Sequence, residues 1–146
     1  MTVQRTIRAP AELVFRAVSD VRGLPGTVPA IVRVELLSER TSGVGTRFRE
    51  TRRMKGKETT TELEIVEYVE NRRVRMVADS HGTRWDSLFA VEPADGATRL
   101  TLTMEARARK LLPKLLNPLF KGLFRRGLGE HLDAVKRYCE SVPLRR

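Results

Sequence analysis

PKLLNPLFKGLFRRGLGEHLDAVKRYCE, residues Pro113 to Glu140, sets apolar side chains at Leu116, Leu119, Phe120, Leu123, Phe124, Leu128, Leu132, Val135, Tyr138 and Cys139. That i, i+3, i+4 recurrence holds for about seven turns and predicts a long amphipathic helix. Pro118 and the pair Gly127/Gly129 are positions where it is expected to bend or loosen. A helix with one apolar stripe has to bury that stripe against another layer, so the rest of the chain must supply a matching face.

The preceding residues supply strands. Ile31–Leu37, Thr46–Met54, Thr59–Val69, Val74–Ala78, Arg84–Val91 and Thr98–Ala106 are β-branched or alternating runs. Short turn signals separate them: Ser42-Gly43, Gly56, Glu70-Asn71, Gly82 and Pro93–Gly96. Strands joined so tightly pair antiparallel, because a parallel pair needs a long crossover. Upstream, Ala9-Pro10 opens a helix over Glu12–Ser19, and Asp20–Pro29 reads as a broken turn or a second short helix. The predicted order is β-α-(α), six strands, then α. This is an α+β chain in which a curved antiparallel sheet grips the C-terminal helix and leaves an apolar cavity between them.

Composition narrows the functional classes. At 146 residues the chain reads as one domain spanning 1–146. Cys139 is the only cysteine, so neither a disulfide framework nor a cysteine metal site can be built within the chain. A reducing, cytoplasmic setting is expected, and no run is apolar for the length of a signal peptide or membrane span. The net charge is +10, most of it from Arg107 onward, where eleven Lys/Arg face three Asp/Glu. Interleaved with the apolar stripe, these charges read as a solvated helix face.

With those elements placed, the opening IRAPAELVFRAVSDVRGLPGTVPAIVRVELL (Ile7–Leu37) resembles the START/Bet v 1-like superfamily (SRPBCC proteins). It is most similar to the polyketide cyclase/dehydrase and lipid-transport branch. Ala9, Pro10, Val14, Phe15, Asp20, Pro29, Val32 and Val34 carry the resemblance, followed by Gly43–Thr46, Trp85 with Phe89, and Gly96–Thr101. The resemblance covers nearly the whole chain and implies a helix-grip fold with a deep cavity. Members bind lipids, sterols, polyketides or plant hormones, and some cyclise or hydrolyse their ligands. Fold alone does not choose among these activities.

Strand alternation picks out a cavity wall. Trp85, Ser87, Phe89 and Val91 share one face of their strand, and Arg84, Asp86, Leu88 and Ala90 the other. The expected ligand-binding set is Leu63, Ile65, Met76, Trp85, Ser87, Phe89, Leu102, Met104, Leu116, Phe120, Leu123 and Phe124, with Ala78, Leu100 and Leu128 as further companions. Trp85 and Phe89 stand at its centre, facing Phe120 and Phe124.

Candidates for chemistry are sparse. His81 reads as a solvated turn histidine. His131 lies beside the helix stripe, within reach of the cavity rim but expected to pack on the helix surface. Asp79, Asp86 and Glu92 are the acids nearest the wall, and none has a second partner at fixed spacing. Cys139 reads as a buried structural thiol, and Ser87 lacks a base. Catalytic residues are thus unassigned, and neither a metal nor a cofactor is expected.

The expected partner is a hydrophobic small molecule, carried or sequestered. The alternative is a cyclase/dehydrase-type enzyme working in the same cavity. A third option is an interaction module with a filled core. Arg52, Arg53, Lys55 and Lys57 form a basic hairpin, but no aromatic ladder accompanies it, so nucleic acid is not an expected partner. Leu111–Phe124 combines an apolar face with Lys114 and Lys121, which suits peripheral contact with anionic membrane. Monomer and homodimer both remain open.

Overall fold

The computed structural model describes residues 1–80, 82–108 and 118–142. Seven strands make one sheet: β1 (Thr2–Ile7), β2 (Ile31–Leu36), β3 (Arg47–Met54), β4 (Lys57–Val69), β5 (Arg73–Ser80), β6 (Thr83–Ala94) and β7 (Ala97–Ala108). Between β1 and β2 lie helix α1 (Ala11–Ser19), a 3-10 turn (Val21–Gly23) and the single-turn α2 (Leu24–Thr27). Helix α3 (Pro118–Ser141) closes the chain. The order matches the sequence expectation, including a short second helix.

Sheet order is β1-β7-β6-β5-β4-β3-β2, with every described pairing antiparallel. The long meander from β2 to β7 needs tight hairpins, and the residues at their tips explain them. Lys55-Gly56 (φ 52° and 77°) and Asp95-Gly96 (φ 46° and 80°) both place two successive residues in the left-handed region. This is the two-residue turn that follows the twist of paired strands. The strands run longer than their apolar runs suggested, because backbone pairing continues to the turn even where side chains are exposed and charged.

α1 buries Val14, Phe15, Ala17 and Val18. Val14, Phe15 and Ala17 join Ile7, Ile65, Val74, Leu100 and the α3 residues Leu132, Val135 and Cys139 in a solid core, none of them lining the cavity described below. α3 is tied down there by polar contacts as well. Asp133 pairs with Arg5 at 2.7 Å, Lys136 Nζ donates to the Thr6 carbonyl at 2.8 Å, and the Arg8 N–H donates to Glu140 Oε2 at 2.9 Å.

The N-terminal half of α3 is different. Leu119 is 71% exposed and Leu123 60% exposed, so among the described residues the apolar stripe is fully buried only at Leu128, Leu132, Val135 and Cys139. Gly127 and Gly129 do not interrupt the helix. At Gly129 an added Cβ would come within 2.9 Å of Arg5 Nη2, so the glycine lets the Arg5 guanidinium cross the helix on its way to Asp133. No described helix is long and apolar enough to cross a membrane.

Candidate ligand-binding site

Where α3 stands away from the sheet, a cavity of about 750 Å³ opens. Its origin is visible in the residue sizes. Ala30, Ala78, Ser87, Gly127 and Ala134 point small side chains, or none, at the space between the two layers. Bulkier groups there would close it. Such a void forgoes the dense contacts that normally fill a protein interior, a standing cost to stability.

β6 follows its predicted parity. Trp85, Ser87 and Phe89 line the cavity, while Val91, on the same face, belongs to the solid core beyond it. From neighbouring strands Leu63, Met76, Ala78, Leu102 and Met104 join the lining, and Leu123, Phe124 and Leu128 add to it from α3. The Trp85 and Phe124 rings lie 5.2 Å apart at 39°, in contact between β6 and α3. Two expected lining residues are not in the wall. Ile65 and Leu100 are fully buried on the inner face, but they sit where α1 and α3 fill the space. Leu116 lies outside the described residues, as do His81 and the side chain of Phe120.

The acids nearest the wall in sequence turn out to face away from it. Asp86 pairs with Arg75 at 2.9 Å and Glu92 with Arg99 at 3.2 Å on the outer face of the sheet, and Asp79 shares the parity of Arg73 and Arg75. The basic hairpin is also partly neutralised there, with Arg53 pairing Glu58 at 2.6 Å. Glu58 and Glu67 are held below the usual carboxylate range, chiefly by hydrogen bonds from Arg53 and Arg73 respectively.

The polar part of the cavity comes instead from β3 and α3. Phe48, Glu50, Arg52 and Met54 alternate inward along β3 and line the cavity. Arg52 Nε donates to Glu50 Oε1 at 2.8 Å, and Arg52 Nη2 lies 3.0 Å from Nδ1 of His131. His131 is 9% exposed, lines the cavity, and lies 5.7 Å from the Phe89 ring at 43°. The expectation that it packs on the helix surface is therefore overturned, because the turn of α3 that carries it faces β3 and β6. Burial and the Arg52 guanidinium push the imidazole down to about 3.

This Glu50–Arg52–His131 line was missed in the sequence. Each face of β3 carries charges, and only Phe48 and Met54 mark which one turns inward. Met54 and Leu123, both exposed and both lining the cavity, stand at its mouth. Cys139 is buried in the solid core, where burial and the neighbouring Glu140 push its thiol up to about 11. Among the described residues no group of three or more His, Cys, Asp or Glu is placed to hold a metal ion.

Comparison with known proteins agrees with this geometry. Solved structures of similar fold include a START superfamily protein from Mycobacterium smegmatis (17% identity, TM-score 0.80, covering 98% of each chain). A protein from Thermus thermophilus is 23% identical with a TM-score of 0.75, over 94% of each chain. The di-domain ARO/CYC StfQ from the steffimycin biosynthetic pathway matches at 18% identity and a TM-score of 0.76, covering 96% of this chain and 44% of that one. These likenesses place the fold as helix-grip, Bet v 1-like. No curated protein matches the sequence. The family model described as polyketide cyclase / dehydrase and lipid transport matches residues 1–140, and the chain belongs to that family.

Proposed function

We propose that this protein takes up a hydrophobic small molecule, such as a lipid, a polyketide-like aromatic or an isoprenoid, and carries or sequesters it. The observation that carries this reading is the 750 Å³ cavity, walled mainly by carbon, between α3 and the sheet. Its volume lies in the range of small-molecule sites, roughly 300–1,000 Å³. Burying about 200 Å² of ligand apolar surface there is worth about 5 kcal/mol before the entropic cost of association. The twelve residues expected from the sequence to touch ligand are proposed in that role except Ile65, and Phe48, Glu50, Arg52 and His131 are added to them.

A second reading, a cyclase/dehydrase-type enzyme, draws on His131, which sits inside the cavity with a hydrogen-bonded partner. Proton transfer needs a group that titrates near the working pH. His131, held near 3, is uncharged there, and Glu50 is bonded to Arg52. That chemistry favours a container over a reactor. Titration with a solvatochromic hydrophobic dye, followed through Trp85, tests the container. Saturable one-to-one binding supports it, and absence of binding across lipids and aromatics overturns it.

A further inference from the structure

The bonding around His131 fixes more than its position. A guanidinium can only donate hydrogen bonds, so the 3.0 Å contact from Arg52 requires Nδ1 of His131 to be the unprotonated acceptor. In a neutral imidazole the proton then resides on Nε2. The Phe89 ring, 5.7 Å away, packs beside the imidazole and holds its plane.

Among the described residues His131 makes no other hydrogen bond. No sealed side-chain nitrogen or oxygen among them lacks a partner. Nε2 is therefore not sealed, and it opens on the cavity that the residue lines. A buried residue that lines the cavity thus keeps an N–H donor with no acceptor among the described residues.

Charge decides which acceptor fits. The Arg52 cation is balanced by Glu50, whose side chain is 10% exposed and 2.8 Å away. With His131 neutral, the three groups sum to zero. A carboxylate at Nε2 would be desolvated with no unpaired cation among these three groups, whereas a carbonyl oxygen would need only a donor; the other arginine of the lining, Arg137, is exposed to solvent.

We propose that His131 is a specificity-determining residue whose Nε2–H selects a neutral hydrophobic ligand bearing a carbonyl oxygen. The inference rests on the reading of the cavity as a container and names the ligand class it takes. Arg52 acts as a positioning residue, holding the tautomer through Nδ1. Nothing in this role requires proton transfer.

The test uses three probes of one shape: dimethylaminonaphthalene carrying a propanoyl, a propyl or a propanoate group. The ketone is expected to bind the whole protein roughly three- to tenfold more tightly than the propyl compound, the value of one net hydrogen bond. Its emission is expected to move to the red, as a hydrogen-bonded carbonyl requires. The propanoate is expected to bind more weakly than the ketone. H131F should erase the ketone preference while still binding the propyl probe, and H131Q, which keeps a donor, should restore part of it. Independently of any variant's folding, the ¹⁵N spectrum of wild-type His131 should show a protonated Nε2 and a bare Nδ1.

Equal binding of ketone and propyl probes, tightest binding of the propanoate, or a proton on Nδ1 each overturns the assignment while leaving the container intact. If no probe binds, the container reading falls, and the inference with it.

Discussion

Arg52 Nη2 donates to Nδ1 of His131 at 3.0 Å, joining strand β3 to helix α3 across the wall of the cavity. The two residues stand 79 positions apart in the chain. Their contact gives a mainly carbon-lined space a fixed polar group, and it makes the cavity sensitive to pH.

The folded protein holds His131 near 3, against 6.5 for an unperturbed histidine. Between those values the unfolded chain binds the extra proton and the folded chain does not, so stability falls as pH drops from about 6.5 towards 3. The expected slope from this residue is up to about 1.4 kcal/mol per pH unit. Glu58 and Glu67, also lowered, add loss only as pH falls through the carboxylate range. Urea denaturation at a series of pH values should therefore show a slope between pH 6.5 and 5 that H131N removes.

Glu50 neutralises Arg52 inside the wall. E50Q is expected to destabilise the protein by roughly 1–2 kcal/mol, since Arg52 is partly exposed and solvent moderates the loss. The same change leaves the cavity with one net positive charge. A fatty acid should then gain on the matching fatty alcohol in competition binding, relative to the wild type.

Leu132 and Leu123 occupy the same apolar stripe but different surroundings. Leu132 is fully buried, and L132A should destabilise by about 2–5 kcal/mol. Leu123 is 60% exposed at the cavity mouth, so L123A should change stability by no more than about 0.5 kcal/mol. Its effect should appear in ligand dissociation rate instead. Thermal denaturation and stopped-flow release separate the two.

The Cys139 thiol is buried and shifted to about 11. In the native protein it should resist a thiol-reactive probe at pH 8, reacting only as fast as the core opens, and should react fully in denaturant.

Much of this was legible in the sequence, and the gaps have physical causes. The period change after β7 announced a helix, and hairpin signals such as Asp95-Gly96 forced antiparallel pairing, so the architecture followed from local rules. The β6 wall was legible because Trp85 and Phe89 share parity while Arg84 and Asp86 occupy the other face. Ile65 misled because parity gives the face of a strand but not its position along the sheet, and only packing against α1 decides which inward residues meet a void. Leu119 misled because helical periodicity cannot tell a stripe position that meets the core from one left exposed to solvent. Glu50 and Arg52 were hidden in TRFRETRRM, where charges occupy both faces. Their partner His131 is supplied by an element remote in sequence.

What the cavity holds decides between a container and a filled core. Native mass spectrometry of the protein purified from its own host, beside a cavity-filling M104W variant, measures this. A hydrophobic mass retained one-to-one by the wild type, and lost from a folded M104W, is the predicted result. A wild type that is reproducibly ligand-free, with no thermal shift across a lipid and aromatic library, would contradict it.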